Sequence, residues 1–243
     1  MEHSIRSRFI VIILSSLSLA LVSAQSQAGK GFFDFNYYPY MTDVDEDNSI
    51  TVNIAAKLPQ RFSYFSLTNL RSDDSDSTLD ELDTYYTEQN IRWQITENSP
   101  LDLTAQLNFR SGSDNDRHRL GVRWRLSNTP WLEQAFKAIH LSYAVNFHVL
   151  QFDHEDGDVW QIEHAFHMKF PYLTERLYLA GFVDHTFNQD VPDSFPKRPM
   201  VAEAQVGFQL VDKLYLISEY RLNQYRRSDV NNLAIGLQYK ITW

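Results

Sequence analysis

The chain has 243 residues, with 31 acidic against 22 basic side chains and a formal net charge of −9, a balance that argues against a nucleic-acid partner. Hydrophobic residues make up 43% and aromatic ones 14%, while Gly and Pro number 8 each, which excludes collagen-like and low-complexity classes. The absence of cysteine removes a disulfide framework, a thiolate zinc site and a cysteine nucleophile together, and a mean hydropathy of −0.39 excludes a helical membrane bundle.

At the N-terminus, Arg6 and Arg8 precede a 14-residue apolar run from Phe9 to Val22, after which small residues lead to Ala24 and Ala28. A basic start, a short apolar core and small-x-small endings at Val22-Ser23-Ala24 and Ser26-Gln27-Ala28 are the marks of a secretory signal peptide. The run falls short of the roughly 20 residues that span a bilayer as a helix, which disfavours an uncleaved anchor. Segment 1–24 therefore reads as a signal peptide, with a second cleavage site at Ala28, and residues 25–243 as one exported domain.

Past this segment the chain alternates apolar and polar residues with the period of a β-strand. Leu101, Leu103, Ala105, Leu107 and Phe109 oppose Asp102, Thr104, Gln106, Asn108 and Arg110. Leu120, Val122, Trp124 and Leu126 oppose Arg119, Gly121, Arg123 and Arg125, and Ile139 to Phe147 alternates in the same way. At the C-terminus, Leu233, Ile235, Leu237, Tyr239, Ile241 and Trp243 form one wholly apolar face.

Such strands suit a soluble sandwich or a membrane barrel, and their length decides between the two. Runs such as Tyr85 to Ile95, Ile139 to Gln151 and Leu214 to Tyr225 match the roughly 9–11 residues of a tilted membrane strand rather than the roughly 5–6 of soluble sheets. Aromatics such as Trp93, Trp160, Phe170 and Trp243 near the strand ends fit the girdles at two membrane interfaces. Strands are expected at about 31–40, 49–58, 61–70, 84–96, 101–110, 117–127, 138–152, 158–170, 176–187, 200–211, 214–225 and 230–243, with long and short connections mostly alternating. The expected fold is all-β, an antiparallel transmembrane β-barrel of about 12 strands in a bacterial outer membrane, monomeric and without cofactor or metal. The connection Asn128 to Lys137 is long enough for a helical turn at the membrane interface. Two places resist the pattern: the run from Arg61 to Asn69, with Phe62 and Tyr64 on one face and Phe65 and Leu67 on the other, and His164, which falls on the lipid face unless a bulge shifts the register.

The C-terminal third resembles the nucleoside-specific channel proteins of the outer membrane, the Tsx-like channels. The resemblance lies in Val159-Trp160-Gln161-Ile162, Leu179-Ala180-Gly181-Phe182-Val183-Asp184, Glu203-Ala204-Gln205-Val206, Leu214-Tyr215-Leu216-Ile217-Ser218-Glu219-Tyr220 and the closing strand. It implies a twelve-stranded barrel and narrow passage of nucleosides past aromatic and polar side chains, and it assigns no individual binding residue.

Strand parity supplies the candidate lining. Arg92, Arg110, Arg119, Arg123, Arg125, Lys169, Arg176 and Arg221 are expected inward, with Glu88, Asp102, Glu163, Asp184, Glu203 and Glu219. Tyr178, Phe182, Tyr215 and Tyr225 join them. The residues expected to line a pore or meet a substrate are Arg92, Arg119, Arg123, Arg125, Glu163, Tyr178, Asp184, Glu203, Tyr215, Glu219 and Arg221. Mutual pairing of these charges would make a plugged barrel with a structural or recognition role, whereas an open lining would select small polar solutes. His140-Leu141-Ser142 has the His-x-Ser spacing of outer-membrane lipid hydrolases, but both side chains fall on the lumen face, so an enzyme is not expected. The acidic stretches at Asp43 to Asp47, Asp73 to Asp83 and Asp153 to Asp158 form a solvated rim that could bridge to lipopolysaccharide through divalent cations; the stretch Asp43-x-Asp45-x-Asp47 lacks the glycine and glutamate of an EF-hand. Expected partners are outer-membrane lipids, lipopolysaccharide and small polar solutes.

Overall fold

A computed structural model describes residues 29–39, 48–71, 84–112, 115–152, 158–227 and 230–243. The signal segment 1–24, the cleavage candidate at Ala28 and the acidic stretches apart from Asp158 lie outside the described residues. The described chain forms twelve strands: β1 (Gly31–Pro39), β2 (Asn48–Lys57), β3 (Phe62–Arg71), β4 (Thr84–Gln94), β5 (Leu101–Arg110), β6 (Arg117–Trp124), β7 (Leu141–Phe152), β8 (Trp160–Lys169), β9 (Leu177–Phe187), β10 (Met200–Val211), β11 (Leu214–Asn223) and β12 (Asn231–Thr242). Each pairs antiparallel with its sequence neighbours, and β1 pairs with β12 to close the barrel. All twelve expected strands are present, with ends displaced by at most three residues.

The largest displacement has a local cause. After Trp124 the chain turns into a 3-10 segment (Leu126–Asn128) and a short helix, α1 (Glu133–Ala138). Trp124 Nε1 donates to Thr129 Oγ1 at 2.8 Å, and the Thr129 carbonyl accepts from the Leu132 and Glu133 amides, so the turn is tied to the strand it leaves. Phe136 of α1 stacks on Tyr143 with ring centroids 6.1 Å apart, which holds the helix against the outer wall at the periplasmic rim. The sequence reading of a helical turn in this connection is met.

Burial is inverted relative to a water-soluble domain. Among the described residues, twenty-four buried side chains are polar or charged and eight are apolar. Leu103, Ile91, Leu216, Leu233, Ile235 and Leu237 are all more than 40% exposed on the outer wall. A surface of this kind is stable only when hydrocarbon surrounds it, and a sheet in hydrocarbon must leave no unpaired edge. The barrel is therefore an outer-membrane one.

Both irregular stretches resolve on the register. Strand β3 directs Phe65, Leu67 and Asn69 inward, level with Ala55, Asn53 and Thr51 of β2. Its other face sends Tyr64, Ser66 and Thr68 outward, where a chain of side-chain bonds links Tyr64 to Gln89, Gln89 to Thr87 at 2.6 Å and Thr87 to Thr68 at 2.9 Å. The polar groups satisfy one another, as hydrocarbon requires. His164 faces outward in an unbroken β7–β8 register, and its Nδ1 shares a 2.7 Å hydrogen bond with the Tyr143 hydroxyl. The bulge lies instead in β7, opposite Leu120 and Gly121, where consecutive Val149 and Leu150 are both exposed.

Closure rests on six β1–β12 pairs, from Phe32 with Thr242 to Tyr37 with Leu237, sealed by reciprocal backbone bonds between Gly31 and Trp243. Removing Tyr239 to Trp243 eliminates four of these pairs and leaves β1 with an open edge. We expect this truncation to abolish barrel formation. The measurement is refolding into detergent, with loss of β-sheet circular dichroism and of the heat-dependent shift in gel mobility.

Candidate functional site

The inward faces enclose one continuous lumen of about 1140 Å³. Its lining reaches from Lys30, Lys57 and Asn128 at the periplasmic end to Arg71, Thr84 and Tyr225 at the outer end. Eleven Lys or Arg and six Asp or Glu line it, so a protein of net charge −9 encloses a cationic interior.

The charges are sorted by wall. Arg92 on β4, Arg110 on β5, Arg117, Arg119 and Arg123 on β6, and Arg125 just beyond β6 lie on one side, with Glu88 on β4 as the carboxylate of that lining. Glu163 on β8, Asp184 on β9, Glu203 on β10, and Glu219 with Arg221 on β11 lie on the other. This follows from strand alternation, because an inward residue recurs every second position along each strand.

Each wall is held differently. On the acidic side Arg221 bridges Glu203 at 2.6 Å and Glu219 at 3.5 Å, so that one guanidinium serves two carboxylates. Glu163 is ringed by Asn146 at 2.7 Å, Gln106 at 3.3 Å and His148 at 3.4 Å. Gln106 also accepts from Arg119 at 2.7 Å and thereby links the two walls, while the Arg119 Nε donates to Gln151. Near the periplasmic end Asp102 is flanked by Arg125 at 3.2 Å and Arg123 at 3.9 Å, and Arg125 donates to the Ser99 carbonyl.

The aromatic candidates are more structural than exposed. The Tyr178 ring lies on Gly207, where a Cβ would meet it at 2.1 Å, and its hydroxyl donates to Gln238 across the lumen at 2.7 Å. His167 stacks on it at 5.5 Å. Tyr215 meets Tyr178 edge-on at 5.8 Å beside the small cluster of Tyr38, Ile217 and Ala234, and it does not line the lumen. Phe182 and Tyr225 do line it.

Of the eleven expected site residues, the structure thus gathers ten along one lumen. Arg176 departs from the inward placement parity gave it. It precedes β9 in a turn, donates to the Gln209 and Leu210 carbonyls and lies 4.6 Å over the outward Phe208 ring. Lys169 ends exposed at the periplasmic rim. His140 adopts a φ of 53° before β7 and packs against Tyr172, with no hydrogen bond to Ser142, so no His–Ser pair forms. Sequence reasoning passed over Gln106 and His148, which complete the Glu163 network. Parity already placed both inward, but only the register brings them to one level.

No family model matches the chain, and no curated protein matches it. Among solved structures the fold is similar to the NanC porin, at TM-score 0.56 and 10% identity over 86% of this chain and 100% of that one. It is also similar to the KdgM porin, at TM-score 0.50 and 12% identity over 86% of this chain and 98% of that one. The protein is a closed twelve-stranded antiparallel barrel of the outer membrane. The likeness is one of fold alone.

Arg221 gives a direct test of the acidic wall. Replacing it with Met removes the guanidinium that Glu203 and Glu219 share, a change that costs roughly 3 kcal/mol when one partner of a buried ion pair is lost. Urea unfolding of the micelle-bound protein should show this loss for Arg221→Met, and a clearly smaller one when Glu203→Gln and Glu219→Gln are combined with it.

Proposed function

We propose that the protein is a channel for small polar solutes, with nucleosides the leading class. The observation that carries the channel reading is the continuous lumen, lined by charged and amide side chains from one rim to the other. The alternative is a barrel plugged by its own side chains, whose inward groups bond to one another in the Glu163 and Arg221 networks. The nucleoside reading is supported by the resemblance of the C-terminal strands to Tsx-like channels and by Phe182 and Tyr225 in the lining, since a nucleobase needs an aromatic face beside hydrogen-bonding groups. Swelling of liposomes that contain the protein tests it. Nucleosides should enter faster than sugars of matched size; equal rates would leave a general channel, and no swelling would point to the plugged alternative.

The cationic excess adds a bias towards anions or electron-rich solutes. Asp102 offsets only part of the charge of Arg123 and Arg125, and successive inward residues lie about 6–7 Å apart, within a Debye length of roughly 8–10 Å. Under a salt gradient in a planar bilayer, Arg123→Glu should move the reversal potential towards cation preference. An unchanged potential in a conducting variant would place Arg123 off the ion path.

A further inference from the structure

Near the periplasmic end of the lumen, two guanidiniums flank the carboxylate of Asp102 and a third, Arg92, lies on the adjacent strand. Asp102 lies behind, with its side chain 5% exposed, while Arg123 and Arg125 in front of it are 24% and 22% exposed to the lumen. Arg92 completes the group from β4. It pairs with Thr104, the next inward position after Asp102 on β5, and it is only 8% exposed. Among the described residues it has no carboxylate within ion-pair distance, and its buried Nε has no hydrogen-bond partner. Opposite Thr104 on β6 is Gly121, which adds no side chain between Arg119 and Arg123. The position keeps glycine because a Cβ would meet the Phe147 carbonyl at 2.0 Å.

Directly beside this group the inverted strand β3 presents an apolar ledge. Phe65 and Leu67 line the lumen, and the Arg92 guanidinium stands 5.7 Å from the Phe65 ring centre. Ser63 pairs with Arg92, so Phe65 is one inward step further towards the outer rim, about 6–7 Å along the strand.

From this juxtaposition we infer a binding site for solutes that join a phosphomonoester to a planar or apolar body. The three guanidiniums face Asp102 and, across Asn146 in the same row, Glu163, which leaves the cations in excess, and a phosphate dianion draws on that excess more strongly than a singly charged group. Guanidinium forks pair bidentately with phosphate oxygens, and Asp102 holds two of them in place before the ligand arrives. The body of the solute then rests on Phe65 and Leu67. A neutral solute gains only the ledge, inorganic phosphate only the cations, and a sulfonate monoanion attracts the guanidiniums less than a phosphate dianion does.

The inference rests on the reading of the lumen as a channel, but not on the nucleoside assignment. The test uses the full barrel in a planar bilayer at pH 8, with phenyl phosphate, benzenesulfonate, phenol and inorganic phosphate added in turn. Phenyl phosphate should interrupt the ionic current at a concentration about tenfold below each of the other three. Arg123→Gln should abolish its advantage over benzenesulfonate. Phe65→Ala, which leaves the ion cluster whole, should bring phenyl phosphate level with inorganic phosphate while the effect of inorganic phosphate stays unchanged. Equal block by all four compounds, or an advantage over benzenesulfonate that survives Arg123→Gln, would overturn the site. If the wild type carries no current, the channel reading fails. Isothermal titration of phenyl phosphate against the detergent-solubilised barrel then decides the site alone: tenfold tighter binding than benzenesulfonate supports it, and equal or absent binding rejects it.

Discussion

The ladder between the first and last strands is the constraint on which the rest of the molecule depends. Backbone amides and carbonyls in hydrocarbon have no water to fall back on, so the sheet must close on itself, and the β1–β12 pairs perform that closure. Once the sheet is closed, each side chain has two destinations only, lipid or lumen. Most apolar residues take the first and most polar residues crowd into the second, with β3 and the polar chain beside it as the exception. The inverted burial of the barrel follows from this one requirement, as does the presence of so many charged groups in a confined space.

Crowding forces those groups to satisfy one another, and they do so in two styles. On the β8–β11 side a single arginine holds two glutamates, and a ring of amides and a histidine surrounds Glu163. On the β4–β6 side the arginines outnumber their carboxylates, and the shortfall is met in part by amide oxygens such as those of Gln106 and Gln151. A side-chain amide can face either sign of charge, which is why Gln106 can accept from Arg119 and donate to Glu163 in one place. Buried charge is tolerated where each ionic group finds such partners. Where it does not, as at Arg92, the wall retains unspent capacity to bind.

Much of this architecture was legible in the sequence because strand alternation is a local property. Leu101 to Arg110 declares both of its faces without reference to any other strand, and the same holds for most of the twelve. What failed to show were the features set by partners. Phe65 and Leu67 looked no more inward than Phe62 and Tyr64, because β3 carries apolar groups on both faces, and the choice was made by Thr87 and Gln89 on the neighbouring strand. The bulge at Val149 has no sequence mark of its own and exists to keep Gln151 inward, next to Arg119. Arg176 was misplaced because alternation ceases in a turn. Parity reaches the lumen residues, but their pairing depends on register, and the seat of the Tyr178 ring against Gly207 is set by the neighbouring strand.

The division of charge between walls has a consequence for anything that crosses. Positive groups concentrated on β4–β6 and negative groups on β8–β11 set up an electric field across the passage, perpendicular to the direction of travel. A dipolar molecule inside the lumen would be turned by that field into one preferred rotational setting. The wall thus acts on the orientation of a molecule as well as on its size and charge. Two solutes of equal mass and formal charge would be sorted by how that charge is distributed within them.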